Sequence, residues 1–200
     1  MEVPVTTDAS DRVDQATRLG ELLKKGEPNE FNQVRKENGF GDVKIDLTLP
    51  EGDPYRLEDI DLGEFNLTEV AIVGVDFSNC SLGPTLKSCV FRDCEFWNCR
   101  FTSNTAPYGL LFTDCRFTNC TFRDFDFGAF EVSGCTFRGD QEGEFCEFYD
   151  CSFADFSAKS NAFIEARVHD SRQAEILKRL VQLGIRGPKR VRKKKGEPKA

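Results

Sequence analysis

The stretch Cys89–Phe101, CVFRDCEFWNCRF, carries two interleaved series spaced five residues apart: Cys89, Cys94 and Cys99, and two places behind them Phe91, Phe96 and Phe101. No ordinary element has that period. Side chains alternate strictly along a strand and recur every ~3.6 residues on an α-helix. A sustained beat of five therefore marks a short internal repeat, whose units cannot bury their apolar side alone and must stack on one another. Upstream the beat runs through the pairs Tyr55/Leu57, Ile60/Leu62, Phe65/Leu67, Val70/Ile72, Val75/Phe77 and Cys80/Leu82. Downstream it runs through Leu110/Phe112, Cys115/Phe117, Cys120/Phe122, Phe125/Phe127, Phe130/Val132 and Cys135/Phe137, then Cys146/Phe148, Cys151/Phe153 and Phe156/Ala158.

Units such as CVFRD, CEFWN, CRFTN and CTFRD resemble the pentapeptide-repeat family, whose unit is a small or apolar residue, any residue, a central Leu or Phe, and two polar residues. The match spans residues 45 to 165, about seventeen units in phase. The resemblance implies an all-β solenoid, a right-handed quadrilateral β-helix with four pentapeptides to each square coil. Cysteine stands at many first positions in place of the usual alanine, and Phe outnumbers Leu at the centre. Both substitutions add bulk, so a filled interior with little room for a ligand is expected. The chain then divides into an N-terminal helical cap (1–44), the pentapeptide-repeat β-helix (45–165), a C-terminal capping helix (166–185) and a basic disordered tail (186–200).

All nine cysteines, at 80, 89, 94, 99, 115, 120, 135, 146 and 151, take the same inward position of the repeat. Zinc needs thiolates converging on a tetrahedron, whereas cysteines one coil apart stack in a column. Stacked thiols lie within disulfide reach at the ~4.8 Å strand spacing. The odd count and the absence of a basic-then-apolar leader in MEVPVTTDASDRVDQ favour reduced, buried thiols in a cytoplasmic protein. No run approaches the ~18 apolar residues of a membrane span.

Asp11 to Lys25 sets Val13, Ala16, Leu19, Leu22 and Leu23 on one helical face, with Ser10 as N-cap and Gly26 as stop. A second short helix is expected from Asn29 to Glu37, carrying Phe31 and Val34. A solenoid end exposes backbone and apolar side chains, so these helices read as its cap. Beyond Phe163 the beat fades, and Asp170 to Leu183 becomes a helix that covers the last coil. In relatives that target gyrase, an element at this place also joins two rods. The resemblance therefore makes Ile176, Leu177, Leu180 and Leu183 candidate homodimer contacts, with capping alone as the alternative.

Breaks of phase place loops at Gly83–Pro84, within 103–109 and within 139–144. Allowing for them, Leu57, Phe77, Phe96, Phe117 and Phe137 form one interior column, and Ile72, Phe91, Phe112, Val132 and Phe153 another. Two residues after each centre comes a corner, filled by Asp59, Glu64, Glu69, Gly74, Asn79, Asp93, Asn98, Asp114, Asn119, Asp124, Gly134, Asp150 and Asp155. Asn, Asp and Gly tolerate the conformations that corners require. Asn79, Asn98 and Asn119 are expected to stack as an amide ladder, and Asp93 and Asp114 to stack like charge on like.

Function must lie on the outside. Residues 55 to 165 hold 19 acidic and 8 basic residues, a net of −11. Such a rod resembles duplex DNA in its charge. The family resemblance then implies a DNA mimic whose protein partner is a type II topoisomerase, DNA gyrase or topoisomerase IV. Asp93, Asp114, Asp124, Asp126 and Glu131 are the candidate acidic contacts, and Trp97 and Tyr149 the candidate aromatic ones. Trp97 follows a centre directly and should face out beside Arg116 and Thr118 of the next coil, unless a loop or the last helix covers it. The tail Arg186–Ala200 carries eight basic residues and one acidic, +7, which leaves −14 on the rest of the chain. Lys189, Arg190, Arg192, Lys193, Lys194 and Lys195 thus suggest an alternative, an anchor to nucleic acid or an anionic surface. A third reading is a structural rod with no dedicated partner, its acids serving turns and solubility. No catalytic residue, cofactor or metal is assigned. The lone histidine, His169, stands at a helix start, and no phosphate loop, ligand spacing or nucleophile–base pair is present.

Overall fold

The computed structural model describes residues 9–83, 86, 88–102, 109–140, 144–157, 161–180 and 185–186. Within them the five-residue unit becomes one short strand followed by one corner, and the strands pair in parallel throughout. Successive strands fall on successive sides of a coil, so each sheet gathers strands one coil apart. The first side stacks Val43–Asp46, Val70–Val73, Val90–Arg92, Leu111–Thr113 and Glu131–Ser133. The second stacks Tyr55–Glu58, Val75–Ser78, Glu95–Trp97, Arg116–Thr118, Thr136–Arg138 and Ala162–Phe163. The third stacks Ser81–Leu82, Arg100–Thr102, Thr121–Arg123, Cys146–Tyr149, Ala166–Val168 and Ile185–Arg186.

The fourth side is built differently. Leu62–Glu64 is a turn of 3-10 helix in which Asp61 Oδ1 accepts from Gly63 N at 2.9 Å. Asp126 Oδ1 likewise accepts from Gly128 N at 3.1 Å. A carboxylate that captures the amide two residues on curls the backbone and withdraws it from a sheet. The Asp61 capture explains why Glu64 departs from the corner conformation, and Asp155 departs on the same side, where Ala154 N donates to Ser152 Oγ at 3.4 Å. Of the thirteen corner residues, all but Glu64 and Asp155 have φ between 51° and 67°. One interior column also differs: Phe137 and Phe148 lie on adjacent sides, so Phe153 does not continue the Ile72–Phe91–Phe112–Val132 series but stacks on Phe127, centroids 4.9 Å apart, on the fourth side.

The second-side column stands as expected and runs one coil further, to Phe163. The centroid spacings are 4.9 Å for Phe77–Phe96, 5.0 Å for Phe96–Phe117, 4.7 Å for Phe117–Phe137 and 4.6 Å for Phe137–Phe163. The rings stack within a side because the coil rise equals the strand spacing. Between sides they meet edge to face, as Phe96 and Phe101 do at 69°. Both arrangements suit the ring quadrupole. Phe91, Phe101, Phe117, Phe148 and Phe153 are fully buried, so the rod has a solid hydrocarbon axis.

The cysteines line this axis as free thiols. Cys80, Cys99, Cys120 and Cys146 follow one another in one column, and Cys94, Cys115 and Cys135 in another. Each thiol points at a backbone carbonyl of the preceding coil, as Cys89 does at Leu67 O (2.8 Å) and Cys120 at Phe96 O (3.2 Å). Burial pushes Cys89 and Cys151 up to about 12 and raises Cys115 and Cys120 as well. The thiolate is the reactive species, and all nine sulfurs are buried away from any reagent in solution. The native protein should therefore give no reaction with an aromatic disulfide reagent at pH 8 over the lifetime of the fold, and nine equivalents once denatured. Stoichiometric labelling of the folded chain would contradict this interior.

Each end is closed by its own device. Helices α1 (Ala9–Lys25) and α2 (Pro28–Glu37) cover the first coil, burying Leu19, Leu22, Leu23, Phe31 and Val34. The α1 helix begins at Ala9, so Ser10 lies within it, and Val13 is 64% exposed and does not share the buried face. Arg35 is 0% exposed: Nη1 donates to Gly41 O (2.7 Å), and Nη2 to Thr68 O (2.6 Å) and Phe40 O (3.2 Å). Asn32 adds a donor to Glu64 O (2.9 Å) and accepts from Asn66 N (2.6 Å). At the far end α3 (Ser171–Leu180) buries Ala174 and Leu177. Asn161, 8% exposed, accepts from Cys135 N (2.9 Å) and donates to Val132 O (2.8 Å). Its amide replaces the strand that a further coil would have laid there.

Candidate interaction surface

Corners and outward strand positions carry the charge, and their arrangement follows from the coil. Asp93 and Asp114, φ 52° and 53°, occupy successive coils of the corner between the first and second sides. Glycines bound the pair in this column, Gly74 before it and Gly134 after it. A Cβ on Gly134, itself at φ +65°, would collide with Asp114 Oδ1. The glycine thus gives the carboxylate room to lean away from Asp93. Asp124 and Asp150 stack at the corner between the third and fourth sides. The two acidic columns therefore run along opposite corners of the rod.

The other candidate residues are equally dispersed. Asp126 lies on the fourth side, bridged to Ser152, and Glu131 is exposed on the first. Trp97 is 50% exposed on the second side, paired in register with Thr118 and Ser78, so neither a loop nor α3 covers it among the described residues. Tyr149, on the third side, is held in a network. Its hydroxyl donates to Glu147, its ring stacks on His169 at 3.9 Å, and Arg123 sits 4.7 Å over it. Arg167 completes the group by donating to Glu147 Oε1 at 3.1 Å. Tyr149, Arg167 and His169 hold the Glu147 carboxyl below the usual range, although burial opposes them. The sequence does not announce this network, because its members come from three strands of successive coils and only the register aligns them.

The amide ladder forms in part: Asn98 Nδ2 donates to Asn79 Oδ1 at 2.7 Å, but Asn119 Nδ2 turns to Asp140 Oδ2 at 3.0 Å. Of the candidate dimer contacts, Leu177 is 0% exposed within the core, which corrects its assignment to an outward set. Leu180 is 39% exposed, Ile176 is half-buried against the core, and Leu183 lies outside the described residues. Arg186 pairs with Arg167 as a strand residue and is not the start of the tail. Lys189, Arg190, Arg192, Lys193, Lys194 and Lys195 lie outside the described residues. One further feature is the first side's outer face, where Ala71, Val73, Val90 and Leu111 form a half-buried apolar stripe. Among the described residues no three His, Cys, Asp or Glu are grouped to hold a metal, and no helix is long and apolar enough to cross a membrane.

The five-residue repeat and the square coil it builds make this chain a parallel β-solenoid of about five turns, with helices at its ends. No family model matches the sequence, and no curated protein matches it. Among solved structures it is similar to QnrB1, described as a plasmid-mediated fluoroquinolone resistance protein. Two trypsin-treated variants of QnrB1 are each 14% identical, with TM-scores of 0.27 and 0.25, over 74% of this chain and 85% and 84% of theirs. At that distance the fold assignment rests on the coil geometry itself.

Proposed function

We propose that this chain is a non-enzymatic binding protein that works through the outer surface of its acidic rod, as a DNA mimic that occupies the DNA-binding surface of a type II topoisomerase. The observation that carries the reading is the partition of chemistry. Phenylalanine and cysteine fill the axis, while the carboxylates stand at corners fixed by backbone conformation. A rigid scaffold holding charge at fixed intervals resists rearrangement on binding, which favours electrostatic complementarity and a fast association rate. The net of −11 over residues 55–165, spread along about five coils of ~4.8 Å, amounts to one charge per roughly 2 Å, close to the ~1.7 Å of duplex DNA. Acid columns on opposite corners also suit a partner that surrounds the rod, as one surrounds a duplex. The test is DNA supercoiling by purified gyrase at increasing concentrations of the full chain. Inhibition, or protection of the enzyme from a fluoroquinolone, at micromolar protein is expected. Unchanged supercoiling would remove the topoisomerase from the reading.

A further inference from the structure

On the outer face of the second side, two rows of side chains run along the rod. One is Arg56, Asp76, Glu95, Arg116; the other is Glu58, Ser78, Trp97, Thr118. The charges of the first row do not simply alternate into pairs. Arg116 pairs with Glu95, and Arg56 turns toward Glu58, 3.8 Å away. Asp76 is left between them, and its Oδ1 is shielded from solvent with no hydrogen-bond donor. Burial, with the charge of Glu95, pushes the Asp76 carboxyl above its usual range. Shielded carboxylate oxygens without a donor are rare in folded proteins, since each costs the desolvation of a charge.

The Asp76 side chain also borders a recess of about 340 Å³ lined by Arg56, Asp76, Phe77, Ser78, Glu95 and Trp97. That is the low end of ligand-binding volumes, ~300–1,000 Å³. Besides Phe77 and the ion-paired Arg56 and Glu95, the walls offer the Asp76 carboxylate, the Ser78 hydroxyl and the half-exposed Trp97 indole. A planar cation satisfies all three, because a guanidinium presents parallel donors to a carboxylate and a flat face to an aromatic ring. An ammonium offers a point charge and no plane.

We propose that this recess binds the guanidinium of an arginine side chain presented by a partner protein, with Asp76 accepting its hydrogen bonds and Trp97 stacking on its plane. The acidic rod draws such a partner in, and the recess gives it a fixed register. The inference rests on reading the outer surface as a recognition surface, but it concerns any arginine-bearing partner and not the topoisomerase alone.

Trp97 is the sole tryptophan, so its emission reports on this site and on nothing else. The full chain is titrated with a short capped peptide carrying one arginine, and with its lysine and citrulline counterparts. A saturable change in Trp97 emission is expected with the arginine peptide, at roughly millimolar Kd as suits one isolated contact. The response should be at least about fivefold weaker with lysine, absent with citrulline, lost in Asp76→Asn and retained in Glu37→Gln, which alters an exposed acid at the end of α2. Asp76→Asn should also melt at or above the parent temperature, because it relieves a desolvated charge, so a lost response cannot be ascribed to unfolding. Equal responses to the three peptides, or an unchanged response in Asp76→Asn, would overturn the proposal. Removal of residues 187–200 is the third arm. If truncation itself shifts the emission and opens the site to peptide, the occupant is this chain's own tail and the partner assignment falls. The supercoiling assay and this titration read different events, so failure of either leaves the other interpretable.

Discussion

Phe117→Ala should destabilise the rod by about 4 kcal/mol, the largest effect expected of any single side-chain truncation in the repeat. Phe117 is 0% exposed, stacks on Phe96 and Phe137 at 5.0 and 4.7 Å, and meets Phe101, Phe112 and Phe122 edge to face. The loss combines transfer of the ring, the cavity left in an interior that cannot collapse, and aromatic pairs worth ~0.5–1.5 kcal/mol each. The consequence is also one of cooperativity. Each coil touches only its neighbours, so stability is a sum of coil and interface terms. Weakening the coil between Phe96 and Phe137 uncouples the two halves. Denaturant unfolding of Phe117→Ala should broaden or split into two transitions, while Phe117→Leu costs about 1–2 kcal/mol and keeps one. A single sharp transition at an unchanged midpoint for the alanine variant would show that the column does not carry the fold.

Arg35→Met should cost about 3 kcal/mol, although the replacement keeps the volume. The guanidinium lies wholly inside the N-terminal cap, where burial lowers its pKa and the charge of Glu69 opposes that. It is held by the carbonyls of Phe40, Gly41 and Thr68. Methionine leaves these three acceptors without donors, at ~1–3 kcal/mol for each that water cannot reach. A chain of this size loses ~2–4 °C of Tm per kcal/mol, so a fall of about 10 °C follows. The damage should be local. Hydrogen exchange should quicken in α2 and in the segment from Phe65 to Val70 that Asn32 and Arg35 tie to it, while the Phe163 end keeps its protection. Uniform loss of protection would mean that the cap and the far coils unfold as one unit.

How much could be read from the sequence depended on whether a signal was periodic. The inward Phe and Cys series, the second-side column and eleven corners are copies of one local rule, and each copy reinforces the others. The fourth side broke the rule because Asp61 and Asp126 capture amides two residues ahead, a competition a five-residue template does not contain. Phe153 leaves the first-side column for another reason: Phe137 and Phe148 stand on adjacent sides, so the loop between them adds residues without adding a side. Arg35 and Asn161 were passed over for a related reason. Polar side chains that complete an end act once, and nothing repeats to announce them. At the surface, Trp97 was legible because a single outward aromatic interrupts a polar row. Asp76 was not, since its orphaned oxygen depends on where Arg56 and Arg116 turn, which only register and packing decide.

Asn161 carries one more implication. By imitating a strand with a single amide, it ends the ladder of the first side without reference to how many turns came before it. Evolution can then lengthen or shorten such a molecule by whole turns, as one adds or removes bricks beneath a coping stone, and alter the span offered to a partner while leaving the terminus as it is.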